Sequence, residues 1–323
     1  MPSTEQIRAF VDMLWEWHGN HKRLLPWRDL TIKNDTERAY RILVSEVMLQ
    51  QTQVSRVILI YKRFLREFPK IQDLAHASNR GVILAWRGMG YNSRALRLRD
   101  AAQIILREHG GKFPKEMEEL QSIPGIGHYT AAAIRNFAFH IPTPCIETNI
   151  RRVLHTIFFG PPNEDGTWRV SDRELLTLAE EVLHHALKVS RFWFLVSGYE
   201  KKKNGEPITR NQKPVTSATA DWHAALMDYG ALAMPKIRPK RRILRKEPGR
   251  LVGSRHIPNR IFRGKIIEEL RDAKRGLTLS EIGRNVCIDW EPEDHKEWLE
   301  ELLTKLKKDA LIERSGKKFM LCT

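Results

Sequence analysis

One spacing limits this chain's fold more than any other feature. Across roughly the first 235 residues, apolar side chains recur every three or four positions, as in VILIYKRFLREF and LLTLAEEVLHHAL. That is the period of a helix with one buried face. No stretch there alternates residue by residue, as a half-buried strand does. Gly110-Gly111, Pro124-Gly125 and Pro161-Pro162 divide the pattern into separate helices. The spacing predicts an all-α body for residues 1–235.

The 323 residues suffice for two or three domains. A formal net charge of +16 favours a polyanionic partner, and nucleic acid leads, because lysine and arginine gain by releasing counterions from phosphates. A generically basic protein is the plain alternative. Nothing approaches an apolar run of membrane length, so no membrane partner is expected. The opening MPSTEQIRAFVDMLWEW reads as an amphipathic helix with acidic residues and no secretory cleavage pattern. An intracellular, cytoplasmic protein is expected. Cys145, Cys287 and Cys322 stand far apart and make no metal-binding pattern, so neither a metal nor an iron–sulfur cluster is expected.

Character changes after residue 235. Residues 236–260 are densely basic and interrupted by proline, and predict an extended linker that either follows phosphates or is simply a solvated connector. In residues 261–323, FRGKIIEELRDA, LTLSEIGRNV and HKEWLEELLTKLKKD predict three helices. The closing ALIERSGKKFMLCT predicts a hairpin turning at Ser315-Gly316. Three helices followed by a hairpin form a small winged-helix-like α+β domain, a module that serves either in a DNA groove or against another protein.

The clearest local signal is LQSIPGIGHYTAAAIRNFAF. Gly125 and Gly127 permit a close approach that side chains would block, and the helix that follows begins with free amides able to face an anion. A bare PGxG fits any tight helix–helix turn. The small residues after it add more, because they let two helices pack closely.

This string resembles the helix-hairpin-helix motif of the endonuclease III and MutY superfamily of DNA glycosylases. LLPWR (Leu24 to Arg28), SEVMLQQTQV (Ser45 to Val54), WRGMGYNSRA (Trp86 to Ala95), ETNIRRVL (Glu147 to Leu154) and WHAALMDYGALAM (Trp222 to Met234) resemble further segments of the MutY branch, in the same order. The resemblance implies a two-lobed helix-hairpin-helix fold. One lobe would take roughly residues 31–140 and the other residues 1–30 with 141–235. It also implies base excision from double-stranded DNA carrying a mismatch or damaged base, by a monomer associated with the nucleoid.

Cleaving the bond between sugar and base needs an acid for the departing base and an anion for the cationic sugar. By resemblance Glu46 is the acid, and burial among Val44, Val47 and Met48 would raise its pKa to suit. Glu147 is implied as the anion, with Asn149 orienting it and the attacking water. The family normally carries aspartate there, and the extra methylene displaces the carboxylate unless the backbone compensates. A helix cap is the alternative role for Glu147. Tyr129 stands where bifunctional relatives have the lysine that forms a Schiff base, which implies excision without strand cleavage. Gln50, Gln51 and Thr52 would reach into the duplex around the extruded nucleotide, and Tyr91 would wedge beside the opposite base. Pro124, Gly125, Ile126, Gly127, His128 and Thr130 would meet the phosphate backbone.

Two further things depart from the branch. The four cysteines that usually follow the Trp222 segment are missing. The tail is also too short for the Nudix-like domain that reads 8-oxoguanine. EKKKNGEPITRNQKPVTSATAD, before Trp222, reads as a surface loop. The expected activity is removal of adenine from A:G or A:8-oxoguanine pairs. A thymine/uracil mismatch glycosylase and a non-catalytic mismatch binder remain open at this point.

Overall fold

The computed structural model describes residues 2–29, 31–196, 217–235 and 247–323. The helical period becomes α1 (Thr4–His21), α2 (Asp35–Leu49), α3 (Val54–Glu67), α4 (Ile71–Ala75), α5 (Asn79–Ala85), α6 (Ser93–His109), α7 (Met117–Ser122), α8 (His128–Ile134), α9 (Thr148–Phe159), α10 (Asp172–Val196) and α11 (Ala218–Leu232). Among the described residues no strand precedes Gly249, and no helix is long and apolar enough to cross a membrane.

The C-terminal part holds β1 (Gly249–Val252), β2 (Arg255–Pro258), α12 (Asn259–Asp272), β3 (Leu277–Thr278), α13 (Leu279–Val286), α14 (Pro292–Lys308), β4 (Ile312–Ser315) and β5 (Lys318–Leu321). Three helices and a β4–β5 hairpin are present, as the winged-helix-like pattern requires. Two expectations need correction. Residues 249–258, read as extended linker, pair as an antiparallel hairpin turning at Gly253-Ser254. Val252 and Ile257 pack on the hydrophobic core beside it, which gives this basic segment a reason to order. Leu277 and Thr278, read as helix, instead pair with β5 and complete a three-stranded sheet of order β3-β5-β4. The α13 helix then starts from a capping box in which Thr278 and Glu281 satisfy each other's backbone N–H. Residues 236–246 of the expected linker lie outside the described residues. So does most of the expected loop before Trp222; its last residues, from Ser217, already cap and enter α11.

The chain forms two compact units. One comprises Met1–Glu46 with Phe113–Arg242, the other Val47–Lys112 with Ile243–Thr323, so the division cuts α2 between Glu46 and Val47. This differs from lobes drawn at residues 31–140. The C-terminal helices share a hydrophobic core with Ile83 of α5 and Leu96 of α6, which ties residues 243–323 to residues 47–112.

In the first unit, Ile7, Phe10 and Leu14 of α1 share a core with Val153 and Leu154 of α9, Leu178 and Val182 of α10, and Trp222 and Leu226 of α11. A buried polar network pins the loop that leads to α9. The Asn136 side chain donates to the Thr143 carbonyl (2.8 Å) and accepts from the Thr143 N–H (3.0 Å) and the Thr219 hydroxyl (3.0 Å). His223 donates from Nδ1 to the Thr219 carbonyl (2.8 Å), and burial lowers its pKa to about 4, so it stays neutral.

Gly230 sets how closely α11 meets α9. A Cβ there would lie 2.6 Å from the Asn149 carbonyl oxygen and 2.7 Å from the Asn149 Cβ. Gly230→Ala is therefore expected to destabilise the protein by about 1–3 kcal/mol through overpacking, measured by urea denaturation. An unchanged midpoint would show that α9 yields freely.

Candidate active site

Glu46 lies on α2 and is only 6% exposed, flanked by buried Leu43, Val44, Val47 and Met48. A carboxylate in such surroundings loses its hydration, which favours the protonated form. Burial pushes its pKa up to about 7, and the nearby negative charge of Glu147 adds to the rise. The Tyr129 phenol, from α8, donates a hydrogen bond to Glu46, and Arg28 lies close enough to oppose the rise. Burial and both carboxylates hold the Tyr129 phenol well above its ordinary pKa, so it remains a neutral donor.

Glu147 is treated differently by its surroundings. It is the N-cap of α9: Oε1 accepts the backbone N–H of Asn149 and of Ile150, both at 2.8 Å, and Oε2 accepts from Asn149 Nδ2 at 3.3 Å. Burial raises its pKa, but these donors and the Arg152 charge favour the anion. The positive end of α9 adds to them. Glu46 has no backbone donors of this kind. Burial raises the pKa of both acids, and only Glu147 has backbone donors that oppose the rise. Glu147 is therefore a helix cap, the alternative role considered for it, and its charge also reaches Glu46.

The glycine-rich turn joins α7 to α8. Gly125 has φ +90°, a conformation that side-chain-bearing residues rarely adopt, and the Ile126 N–H closes the turn on the Ile123 carbonyl at 3.0 Å. Pro124, Gly125, Gly127 and His128 are exposed, whereas Ile126 and Thr130 are buried. Gly127 caps α8 without any side-chain acceptor, so no side chain caps the first amides of that helix.

Gln50, Gln51, Thr52 and Tyr91 belong to the second unit, on two loops. Gln51 (φ +54°) and Tyr91 (φ +46°) both adopt left-handed backbone, a strain typical of functional loops. Buried Arg94 binds the two loops together. Its guanidinium donates to the carbonyls of Val47 (3.0 Å), Met48 (3.3 Å) and Gln50 on one side, and of Met89 (3.4 Å) and Gly90 (3.3 Å) on the other. It also packs against the Tyr91 ring, 5.5 Å from the centroid. Tyr91 is 48% exposed and so is not a core aromatic.

Residues 44–181 match the HhH-GPD superfamily of base excision DNA repair proteins. The chain is 46% identical over 183 residues to the adenine DNA glycosylase of Mus musculus, covering 56% of this chain and 35% of that protein. It is 40% identical over 160 residues to the adenine DNA glycosylase of Mycobacterium tuberculosis, covering 49% of this chain and 51% of that one. The chain thus spans about a third to a half of these curated relatives. In fold it resembles a thermostable thymine-DNA glycosylase, with a TM-score of 0.52 at 22% identity over 71% of this chain and 87% of that one.

The cysteines do not fit the cluster carried by many MutY relatives. There are three where four thiolates are needed, and Cys145 and Cys287 are each buried in the core of a different unit.

Besides Glu46, Tyr129 and Glu147, the matched segment and its flanks place residues that sequence reasoning did not single out. Asp228 of α11 is fully buried and receives Arg23 (2.7 Å) and both Oδ atoms' bonds from Arg28 (2.9 and 3.0 Å). That pairing fixes the guanidinium whose charge reaches Glu46. Arg152 donates to Asn149 Oδ1 (3.4 Å) and to the Gly230 carbonyl (2.7 Å), which turns the Asn149 amide NH2 toward Glu147. Arg28, Arg152 and Asp228 lie in strings that resemble the MutY branch and Arg23 just precedes one, yet helical spacing alone gives none of them a partner.

The Glu46 pKa carries a stability consequence. The folded state holds this proton more tightly than the unfolded chain, so the contribution of Glu46 to stability is greatest below about 4.5 and falls as pH rises to about 7. Glu46→Gln removes that loss. Its stability advantage over wild type should grow from near zero at pH 4.5 to about 3 kcal/mol at pH 8 in urea denaturation. An advantage independent of pH would mean that the buried carboxyl does not titrate as described.

Proposed function

We propose that this chain is a monofunctional DNA glycosylase that hydrolyses the N-glycosidic bond of adenine mispaired with guanine or 8-oxoguanine in base excision repair. The observation that carries the reading is the Glu46–Tyr129–Glu147 constellation: a buried carboxyl whose pKa is lifted to about 7 beside a second buried carboxyl that accepts two backbone N–H bonds. The adenine DNA glycosylases to which the chain is similar support the choice of base.

In this mechanism the Glu46 carboxyl gives its proton to the purine ring as the bond from the sugar C1′ to the base breaks, and the bonding pair leaves with the base. The sugar becomes oxocarbenium-like, and the anion of Glu147 stabilises it. Water then adds to C1′ and its proton returns to Glu46, which restores the acid and leaves an abasic site. Asn149 holds Glu147 and the water in line. Tyr129 keeps Glu46 in place and, lacking an amine, forms no Schiff base, so the strand remains intact. The exposed Pro124, Gly125, Gly127 and His128 of the turn and the excess of lysine and arginine suit a phosphate backbone. The protein would work on double-stranded DNA inside the cell, as a monomer and without an iron–sulfur cluster.

Duplexes bearing A:8-oxoguanine, A:G, T:G and U:G, treated with alkali after incubation, test this directly. Alkali-dependent breaks at adenine are expected, with single-turnover rates falling above about pH 7 as Glu46 loses its proton. Breaks at thymine or uracil would reassign the substrate, and breaks without alkali would contradict the role given to Tyr129. Glu46→Gln should abolish excision while duplex binding persists. The site is built around the longer acid at position 147, so Glu147→Asp should slow excision about tenfold or more. A faster enzyme would mean that the methylene is a handicap.

A further inference from the structure

The second unit contains a cavity of about 550 Å³, within the range of pockets that hold a small organic ligand. One wall carries Gln51, Thr52 and Tyr91 from the two loops joined by Arg94. Further lining comes from α12 of the winged-helix-like domain, with Arg260 and Arg263. The cavity therefore exists only because residues 243–323 fold against residues 47–112.

Its chemistry suits a flat, electron-rich group. Tyr91 offers a half-exposed ring at the cavity, held in place by Arg94. Arg260 is oriented by its Nε bond to Glu247 (2.9 Å) and interacts with the Tyr91 phenol, so its guanidinium stands beside the ring. Arg263 is set by its pairing with Asp309. An aromatic face stacks on any nucleobase, and an arginine fork matches the O6 and N7 acceptors on the edge of guanine.

We propose that this cavity receives one unpaired guanine-type base of a DNA strand, stacked on Tyr91 and read by Arg260 of the C-terminal domain. The proposal rests on the glycosylase reading and deepens it. It makes α12 a specificity element, with Arg260 selecting the nucleotide opposite the excised one. The C-terminal domain would then serve to complete a nucleobase pocket.

Equilibrium binding of the full chain tests this without any excision. The probes are two duplexes at one fixed salt concentration. Each carries a tetrahydrofuran abasic analogue, opposite guanine in one and opposite a second tetrahydrofuran in the other. Wild type should bind the guanine duplex at least tenfold more tightly. Arg260→Ala should reduce that ratio about tenfold and leave affinity for the duplex without the base nearly unchanged. The Glu247 pairing lost in this variant is exposed and contributes little to stability, so the variant should fold. Arg255→Ala removes the same charge from the β2 strand, outside the cavity, and should leave the ratio intact.

Equal loss on both duplexes would make Arg260 a phosphate contact and overturn the proposal. So would a wild type indifferent to the opposite base, or a ratio untouched by Arg260→Ala. If the base-dependent ratio holds while no adenine is excised from any duplex, the catalytic reading fails and the pocket stands.

Discussion

The structure turns on a carboxyl group taken out of water. Glu46 sits on α2 among aliphatic neighbours, and its desolvation favours the neutral form up to about pH 7. A surface glutamate would be ionised at neutral pH and would have no proton to give. The fold accepts the cost of an ionisable group in its interior, and that cost leaves a proton available where the proposed chemistry needs one.

The second carboxylate draws its character from the backbone. Glu147 precedes α9, and two amides of that helix's first turn bind one of its oxygens. Two side chains of the same type therefore differ because one faces aliphatic groups and the other faces N–H donors. The difference depends on where α9 begins. That point is fixed by the close contact of Gly230 with Asn149, by the Arg152 bridge, and by the Asn136 network holding the preceding loop. The Arg28–Asp228 pair keeps a positive charge near Glu46 without letting it collapse onto the carboxyl.

The second unit shows how a terminal domain can acquire a role through packing. The winged-helix-like segment buries Ile266, Ile267 and Leu270 in a core that also holds Ile83 and Leu96. Arg87 pairs with Glu268 and Asp272, and Arg271 donates to Asn92, across the same seam. The two loops carrying Gln51 and Tyr91 thereby face α12 within one unit.

Much of this could be read along the chain. Three-and-four spacing set the helices of residues 1–235, because a helix shows its buried face as a local period. The PGIG turn was legible because glycine and proline restrict the backbone where they stand. Glu46, Tyr129 and Glu147 were named from their motifs and the fold brings them together, although periodicity alone would have left Glu46 as a surface glutamate. The β1–β2 hairpin was missed because its charged residues hide a pairing that depends on a core formed elsewhere. Arg94, Arg28 and Asp228 gave no local signal, since their partners are carbonyls and side chains distant in sequence. The sequence by itself thus determined the helices, the turn and the identity of the acids. Only the tertiary structure decided which acid is buried dry and which is met by amides, because desolvation and hydrogen bonding depend on neighbours that chain order does not supply.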